Sequence, residues 1–122
     1  MKPKPRSGTL SVRLEGDVTV LSVEGYFNDE TGKILQEEVR KVLFQGKKEI
    51  VLDLKTCHTI NSLGVAMILM VTLEASDDFG ATLYLTGLNE LKTSVLSLAG
   101  VTTRAVILPE VQEALNRIKG KS

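Results

Sequence analysis

A serine directly before a long apolar segment is the first position in this chain where chemistry could occur. Ser62 follows Asn61 and precedes nine consecutive apolar or glycine residues, Leu63 to Val71. A serine at the start of a helix accepts a hydrogen bond from a first-turn N–H, so Ser62 is predicted to be the N-cap. The same helix end has free N–H groups and a partial positive charge, which would also stabilise a phosphate on Ser62. Both interpretations, a helix cap alone and a phosphoacceptor, fit this pattern.

The apolar segment after Ser62 predicts either a buried helix or a docking surface. A helix that is apolar on every side is enclosed by its neighbours or shows part of itself to a partner. Methionine suits adaptable binding surfaces, and this segment has two methionines. In the second interpretation, the partner-binding residues are expected to be Val65, Met67, Leu69 and Met70.

Other reactive side chains give weaker patterns. Cys57 and His58 are adjacent, and neighbours at the end of a strand point to opposite sides, so they do not predict a thiol nucleophile with its base. One cysteine and one histidine are too few for a zinc site. Asp53 lies on a predicted strand just ahead of a loop and is better suited to bind loop N–H groups than to catalysis. We therefore expect no enzyme activity, no metal and no other cofactor.

The composition excludes several classes of protein. Lys plus Arg and Asp plus Glu are both 15, and a formal net charge of zero does not favour direct binding to nucleic acid. The nine-residue apolar segment is shorter than the roughly 20 residues that a membrane span needs. No apolar segment follows the basic start, so no signal peptide is expected. The prediction is a cytoplasmic protein without membrane insertion.

The chain of 122 residues fits one domain. Residues 1–8 contain two prolines and three basic residues and are predicted to be a flexible basic tail, followed by a domain over 9–120. Alternating apolar residues over 9–14 and 18–23 predict a β-hairpin. A helical period predicts an amphipathic helix over 29–45, with these residues on its apolar face: Ile34, Leu35, Val39, Val42 and Leu43.

A nearly continuous apolar segment at 49–54 predicts a central strand that is covered on both faces. Strands and helices then alternate to the end of the chain, with further helices expected over 63–77, over 89–100 and from Pro109 onwards. This order predicts an α/β fold, in which a mixed and mostly parallel sheet of four to five strands is flanked by four helices.

Three short motifs in this order resemble the STAS family, the sulfate-transporter and anti-sigma-factor-antagonist domain. They are "LDLKTCHTINSLGV" around Ser62, "GYFN" at 25–28 and "SLAGV" at 97–101, and the resemblance covers roughly residues 9 to 118. It implies that Ser62 is the phosphorylated serine of the family and that Gly64 is the family's glycine. The chain differs from the family at Asn61 and Asn28, where an Asp is usual, and at Leu63, where a small residue is usual.

The resemblance is greatest to stand-alone bacterial anti-sigma factor antagonists, and it implies transcription regulation by partner switching. The unphosphorylated chain would bind an anti-sigma factor that is also a serine kinase, phosphorylation of Ser62 would release it, and a phosphatase would reset it. The site loop would then comprise Asn61, Leu63 and Gly64 together with Asn28 and Asp53. The alternative is a non-phosphorylated STAS subunit of a stable complex, such as a lipid-transport or sensory assembly, in which Ser62 is only a cap.

Overall fold

The computed structural model describes residues 6–121 and has an α/β fold. Its elements are β1 (Thr9–Glu15), β2 (Val18–Phe27), α1 (Asp29–Phe44), β3 (Glu49–Asp53), β4 (Cys57–Ile60), α2 (Ser62–Phe79), β5 (Thr82–Thr86), α3 (Glu90–Leu98), a 3₁₀ turn (Val101–Thr103), β6 (Val106–Leu108) and α4 (Val111–Lys119). The predicted alternation of strands and helices is therefore confirmed.

The main sheet has the strand order β1-β2-β3-β5-β6. Strand β1 is antiparallel to β2, and the remaining neighbours are parallel. The five strands of this path are the five that the sequence predicts. Strand β4 is additional, because no strand was predicted between the strand at 49–54 and the helix from residue 63. It pairs in parallel with the last residues of β2 and has exposed side chains at His58 and Thr59, so it carries no apolar alternation.

The helices cover both faces of the sheet. Helices α1 and α2 lie on one face, over a core that includes Leu21, Ile50 and Ile68. Helix α4 lies on the other face, where Ala114 packs with Val51 and with two other buried residues, Val20 and Tyr84. Strand β3 is thus central and buried on both faces, as predicted.

Helix α1 buries most of its predicted apolar face but not all of it. Leu35, Val39, Val42 and Leu43 are buried, whereas Ile34 is exposed. The assignment of Ile34 to the buried face was wrong, because the contact with the sheet and α2 is narrower than the apolar stripe.

The first described residues contact the domain. The Gly8 N–H donates to the Tyr26 carbonyl oxygen at 2.6 Å, and the Ser7 hydroxyl donates to a Glu30 carboxylate oxygen at 2.8 Å. Residues 1–5 lie outside the described residues, so a flexible tail that ends at residue 8 stays a prediction. Among residues 6–121, none of the helices combines the length and the apolar character that crossing a membrane requires.

Candidate functional site at the start of helix α2

Asn61, and not Ser62, caps helix α2. Its backbone is extended, and its side-chain Oδ1 accepts a hydrogen bond from the Gly64 N–H at 2.7 Å. The Asn61 N–H donates to the Phe27 carbonyl oxygen at 3.1 Å, which fixes the entry into the helix. The prediction that Ser62 is the N-cap was wrong, because asparagine serves as well as serine in that position and here stands one residue earlier.

Ser62 is therefore the first residue of the helix, and its side chain is exposed. No hydrogen bond joins its hydroxyl to another side chain or backbone group within residues 6–121. The N–H groups of the first residues of a helix have no partner in the helix itself. The hydroxyl thus lies free at a positive helix end, where the fold does not require it.

Helix α1 begins in the same way beside helix α2. The Asn28 Oδ1 accepts from the Thr31 N–H at 3.0 Å, and the Thr31 hydroxyl donates to the Tyr26 carbonyl oxygen at 2.9 Å. The Asn61 Nδ2 donates to the Tyr26 hydroxyl at 2.9 Å. The end of β2 therefore anchors both helix starts, and the two asparagines that replace the family's aspartates are both helix caps.

Gly64 allows this arrangement because the first turn of α2 lies directly on the end of β2. A Cβ atom at position 64 would overlap with the Phe27 carbonyl oxygen and would meet the Phe27 ring at 2.9 Å. Any side chain here would push the helix start away from the sheet. The glycine that the resemblance identified thus has a physical role in positioning Ser62.

A polar hollow of about 360 Å³ separates the two helix starts. Asp29 and Glu30, in the first turn of α1, bring two carboxylates to this hollow. The other residues that line it are Arg6, Ser7, Tyr26, Asn28 and Asn61. The sequence pattern did not single out Asp29, Glu30 and Tyr26, although two acidic residues after a capping asparagine are a recognisable sign of a helix start.

The exposed surface of α2 differs from the predicted patch. Met70 is 53% exposed, as expected of a partner-binding residue. Val65 and Leu69 are partly buried and pack against the core, so their assignment to an open patch was wrong. Met67 packs against α1, where its side chain fills the space beside Gly32.

An apolar stripe on α2 consists instead of Leu63, Ala66 and Met70, which follow Ser62 at helical spacing. Leu63 is 56% exposed. The sequence could not separate this stripe from Val65, Met67 and Leu69, because every residue from Leu63 to Val71 is apolar or glycine and the pattern has no polar side that marks the outward direction.

Helix α3 extends the apolar surface. A groove of about 290 Å³ lies between α3 and the start of α2, with Ile60, Val65 and Val95 among its apolar walls. Leu91 and Leu98 of α3 are 72% and 89% exposed. The buried residue of α3 is Leu96, so Leu91, Val95 and Leu98 lie on its exposed side.

Asp53 lies apart from the Ser62 site. It alternates with Val51 along β3 and so shares the α4 side of the sheet, and its Oδ1 accepts from the Lys55 N–H at 3.0 Å. This contact with a loop N–H is the role that the sequence favoured over catalysis. Asp53 instead lines a separate cavity of about 620 Å³ with Arg13, Lys55 and residues of α4.

Cys57 and His58 do not form a reactive pair. Cys57 is buried, and burial raises the pKa of its thiol above the ordinary value, whereas His58 is exposed. A higher thiol pKa leaves less thiolate, which is the nucleophilic form. No group of three or more His, Cys, Asp or Glu side chains in the described part of the chain could hold a metal ion.

The family model described as "Mlab, STAS domain" matches residues 10–110. Comparison with curated protein sequences gives no match.

Several solved structures share the fold. TM1081 from Thermotoga maritima is 23% identical, with a TM-score of 0.77 over 90% of this chain and 94% of that chain. An anti-sigma factor antagonist from Mycobacterium paratuberculosis is 19% identical, with a TM-score of 0.75 over 93% of this chain and 95% of that one. The unphosphorylated antagonist SpoIIAA of Bacillus is 14% identical, with a TM-score of 0.73 over 92% and 99%.

Proposed function

The chain belongs to the STAS domain family, and from this premise we propose that it is an anti-sigma factor antagonist-like switch that is controlled by phosphorylation of Ser62. It binds an anti-sigma factor with serine-kinase activity through the exposed surface of α2 and α3. The kinase phosphorylates Ser62, the partner dissociates, and a phosphatase restores the binding form. In this proposal the chain is a ligand and a substrate, and it acts on transcription in the bacterial cytoplasm.

The observation that carries this proposal is that Asn61, and not Ser62, caps helix α2. Asn61 makes the cap hydrogen bond with Gly64, so the Ser62 hydroxyl can be esterified without removal of a contact that the fold needs. A phosphate adds about −1.5 to −2 charges at pH 7, and the N-terminal end of a helix favours negative charge. Phosphorylation therefore leaves the helix start stable and changes only the surface charge.

The neighbouring stripe explains why that charge would release a partner. Leu63, Ala66 and Met70 start directly beside Ser62, and an interface that covers them removes water from the first turn. A phosphate that loses its water without a paired cation costs free energy. A partner that fits the neutral surface therefore binds the phosphorylated form more weakly.

Asp29 and Glu30 supply the negative charge that Asn28 and Asn61 lack. Their carboxylates belong to the hollow that Asn61 also lines, beside the start of α2. A kinase brings ATP with Mg²⁺, which prefers carboxylate oxygens and water as ligands. In this proposal Asp29 and Glu30 help to bind the Mg²⁺ ion of the kinase, a role that an aspartate at position 28 or 61 would otherwise have.

The proposal is tested by the phosphate content of the chain isolated from its native cells. The expected result is a fraction of molecules whose intact mass is larger by one phosphate, with the modified peptide containing Ser62. The matched control is Ser62→Ala expressed in the same cells, which must lose this fraction entirely. Unmodified wild-type protein, with no phosphate transferred by the co-purified partner in the presence of ATP, contradicts the switch.

The second candidate function is a non-phosphorylated STAS subunit of a stable complex, such as a lipid-transport or sensory assembly. One observation favours it: both positions at which the family usually has aspartate hold asparagines whose side chains are used in helix capping. In that case neither the wild type nor Asn28→Asp or Asn61→Asp, which keep the capping oxygen, incorporates phosphate. Under the switch proposal the same variants incorporate phosphate at least as fast as the wild type.

A further inference from the structure

The outer edge of β1 has no neighbour among the described residues. Strand β1 is the last strand of the main sheet and pairs only with β2, in a continuous register over all seven of its residues. Natural edge strands are usually protected by Pro, Lys, a bulge or a covering element. Strand β1, with the sequence TLSVRLE, has no Pro, Lys or bulge, and its two charged side chains, Arg13 and Glu15, bind each other at 3.1 Å.

Apolar side chains follow this open edge. Leu10, Val12 and Leu14 lie on the α1 and α2 side of the sheet, opposite Val23, Leu21 and Thr19 of β2. Leu10 packs against the core, but Val12 is 50% exposed and Leu14 is 64% exposed. The apolar row of β1 is therefore partly buried at Leu10 and is open to solvent at Val12 and Leu14.

The hairpin determines which backbone groups point outward from β1. Gly16 and Asp17 form a two-residue turn, so Glu15 and Val18 flank it as a hydrogen-bonded pair. Hydrogen-bonded and non-hydrogen-bonded pairs alternate along an antiparallel ladder. Leu14, Val12 and Leu10 therefore occupy non-hydrogen-bonded positions toward β2, and their N–H and C=O groups point to the open edge.

We propose that this edge pairs with β1 of a second copy of the chain, antiparallel and around a twofold axis at Val12. Val12 is the middle residue of the seven-residue strand, so the two strands overlap along their whole length. Val12 then faces Val12 of the second copy, and Leu10 faces Leu14. The outward backbone groups of these residues form the hydrogen bonds, and the exposed apolar row of each copy covers the other.

The charges on the opposite side are compatible with this register. With the axis at Val12, Arg13 faces Ser11 of the second copy and Glu15 faces Thr9. An axis at Arg13 would place two guanidinium groups directly opposite each other, which is destabilising, and would leave Leu10 facing Gly16. The full-length register thus avoids like charges and pairs all three apolar residues.

This dimer leaves the proposed partner surface open. Strand β1 lies at one end of the strand order, whereas α2 contacts β5 and α3 contacts α2. The dimer would therefore present two Ser62 sites, and a partner with two binding sites would gain avidity from it. The inference does not depend on phosphorylation of Ser62.

Sedimentation equilibrium of the full chain over a wide range of concentration tests the inference. We expect a reversible monomer–dimer equilibrium for the wild type and its loss in Val12→Lys, which places a charge on the twofold axis. Leu98→Lys is the matched control, since Leu98 is equally apolar and even more exposed but lies on α3; it should keep the equilibrium. A monomeric wild type, or a folded Val12→Lys that still forms dimers, overturns the proposal.

A second variant keeps the test decisive if Val12→Lys unfolds. Hydrogen-bonded antiparallel partners have Cα atoms about 5.5 Å apart, a separation that a disulfide can bridge. Val12→Cys should form covalent dimers under mild oxidation, whereas Leu98→Cys, which has the same buried Cys57, should not. Equal cross-linking of the two variants shows random collision and contradicts the proposed pairing.

Discussion

Helices α1 and α2 start with the same cap, but their first turns differ in how far they are exposed to solvent. Each is capped by an asparagine whose Oδ1 binds an N–H three residues later, and both starts contact the last residues of β2. In α1 the first turn is tied into the domain, because Thr31 is fully buried and Glu30 accepts a hydrogen bond from Ser7. In α2 the first turn shows Ser62 and Leu63 to the solvent.

The difference shows that the same asparagine cap can begin a helix whose first turn is packed into the domain or one whose first turn is exposed as a candidate functional site. Asn28 and Asn61 supply the same capping contact, so the cap itself does not mark function. The difference lies in the residues after the cap, because Thr31 is buried and Glu30 is hydrogen-bonded in α1, whereas Ser62 and Leu63 are exposed in α2. The exposed serine beside an apolar stripe is therefore the candidate site, and the α1 start is its support.

The largest effect is expected when the α2 start is forced away from β2. Gly64→Ala places a methyl group against the backbone oxygen of Phe27, and we expect a loss of about 3 kcal/mol in the free energy of unfolding, at the upper end for overpacking. Gly120→Ala is the matched control, because its nearest contacts would be ordinary ones at 3.5 Å. Urea unfolding of both variants measures the difference, and equal stability would show that α2 does not need this close approach.

Substitution by glutamate should have different effects on the packed side and on the exposed stripe of α2. Met67→Glu puts a carboxylate against Gly32 of α1 and is expected to cost about 2 kcal/mol of stability. Met70→Glu is expected to keep the melting temperature and to weaken partner binding. Thermal unfolding and pull-down of the partner report the two effects. If Met70→Glu unfolds the domain as Met67→Glu does, the stripe is not an open surface.

Alanine substitution at Asn61 and at Ser62 should change the free energy of unfolding by different amounts, because only Asn61 is the cap. Asn61→Ala removes the acceptor for Gly64 and the donor to Tyr26, so we expect a cost of about 1–2 kcal/mol. Ser62→Ala removes no contact of the fold and should change stability by less than about 0.5 kcal/mol. Denaturant titrations of the two variants measure these free energies of unfolding. A larger loss of stability in Ser62→Ala than in Asn61→Ala would show that Ser62 is the cap.

The smallest effect concerns the far ends of the same two helices. Arg40 of α1 binds Glu74 of α2 at 2.7 Å, and this hydrogen bond lowers the pKa of the Glu74 carboxyl. A carboxylate whose pKa is lower in the folded state stabilises the fold above its unfolded pKa, and this contribution disappears as the pH falls through the folded pKa. Glu74→Gln should therefore melt slightly below the wild type at neutral pH.

The comparison of Glu74→Gln with the wild type across the acid range checks this sign. The two melting temperatures should converge as the pH falls through the lowered pKa of Glu74. Glu38→Gln is a suitable control, since Glu38 also has a basic partner, Lys41, but within α1 alone. A gap that widens in acid would contradict the assigned role of the Arg40–Glu74 pair.

The main sheet and its helices could be predicted from the sequence because their apolar periods are long and regular. The segment at 49–54 indicated a central strand, and β3 is that strand. Strand β4 could not be found in this way, because it has four residues and pairs only with the end of β2. Its formation depends on a tertiary contact and not on a local pattern.

The site was predicted in part for the same reason. Ser62 and Gly64 stood out by type and position, and both lie at the first turn of α2. The contribution of Tyr26 to the Asn61 side chain joins residues that are 35 positions apart, and no local pattern indicates it. The sequence also did not show the outward side of α2, because this side is determined by tertiary packing, such as that of Met67 against Gly32.

The central claim is tested most directly by the affinity of Ser62→Asp for the partner that the wild-type chain captures from its native cells. Aspartate at this position adds a negative charge where the helix dipole favours it, so the variant should fold as stably as the wild type. We predict that its affinity falls at least tenfold, while Ser62→Ala binds as the wild type does. Unchanged affinity of a fully folded Ser62→Asp, with no phosphate transferred to the wild type by that partner, would contradict the account.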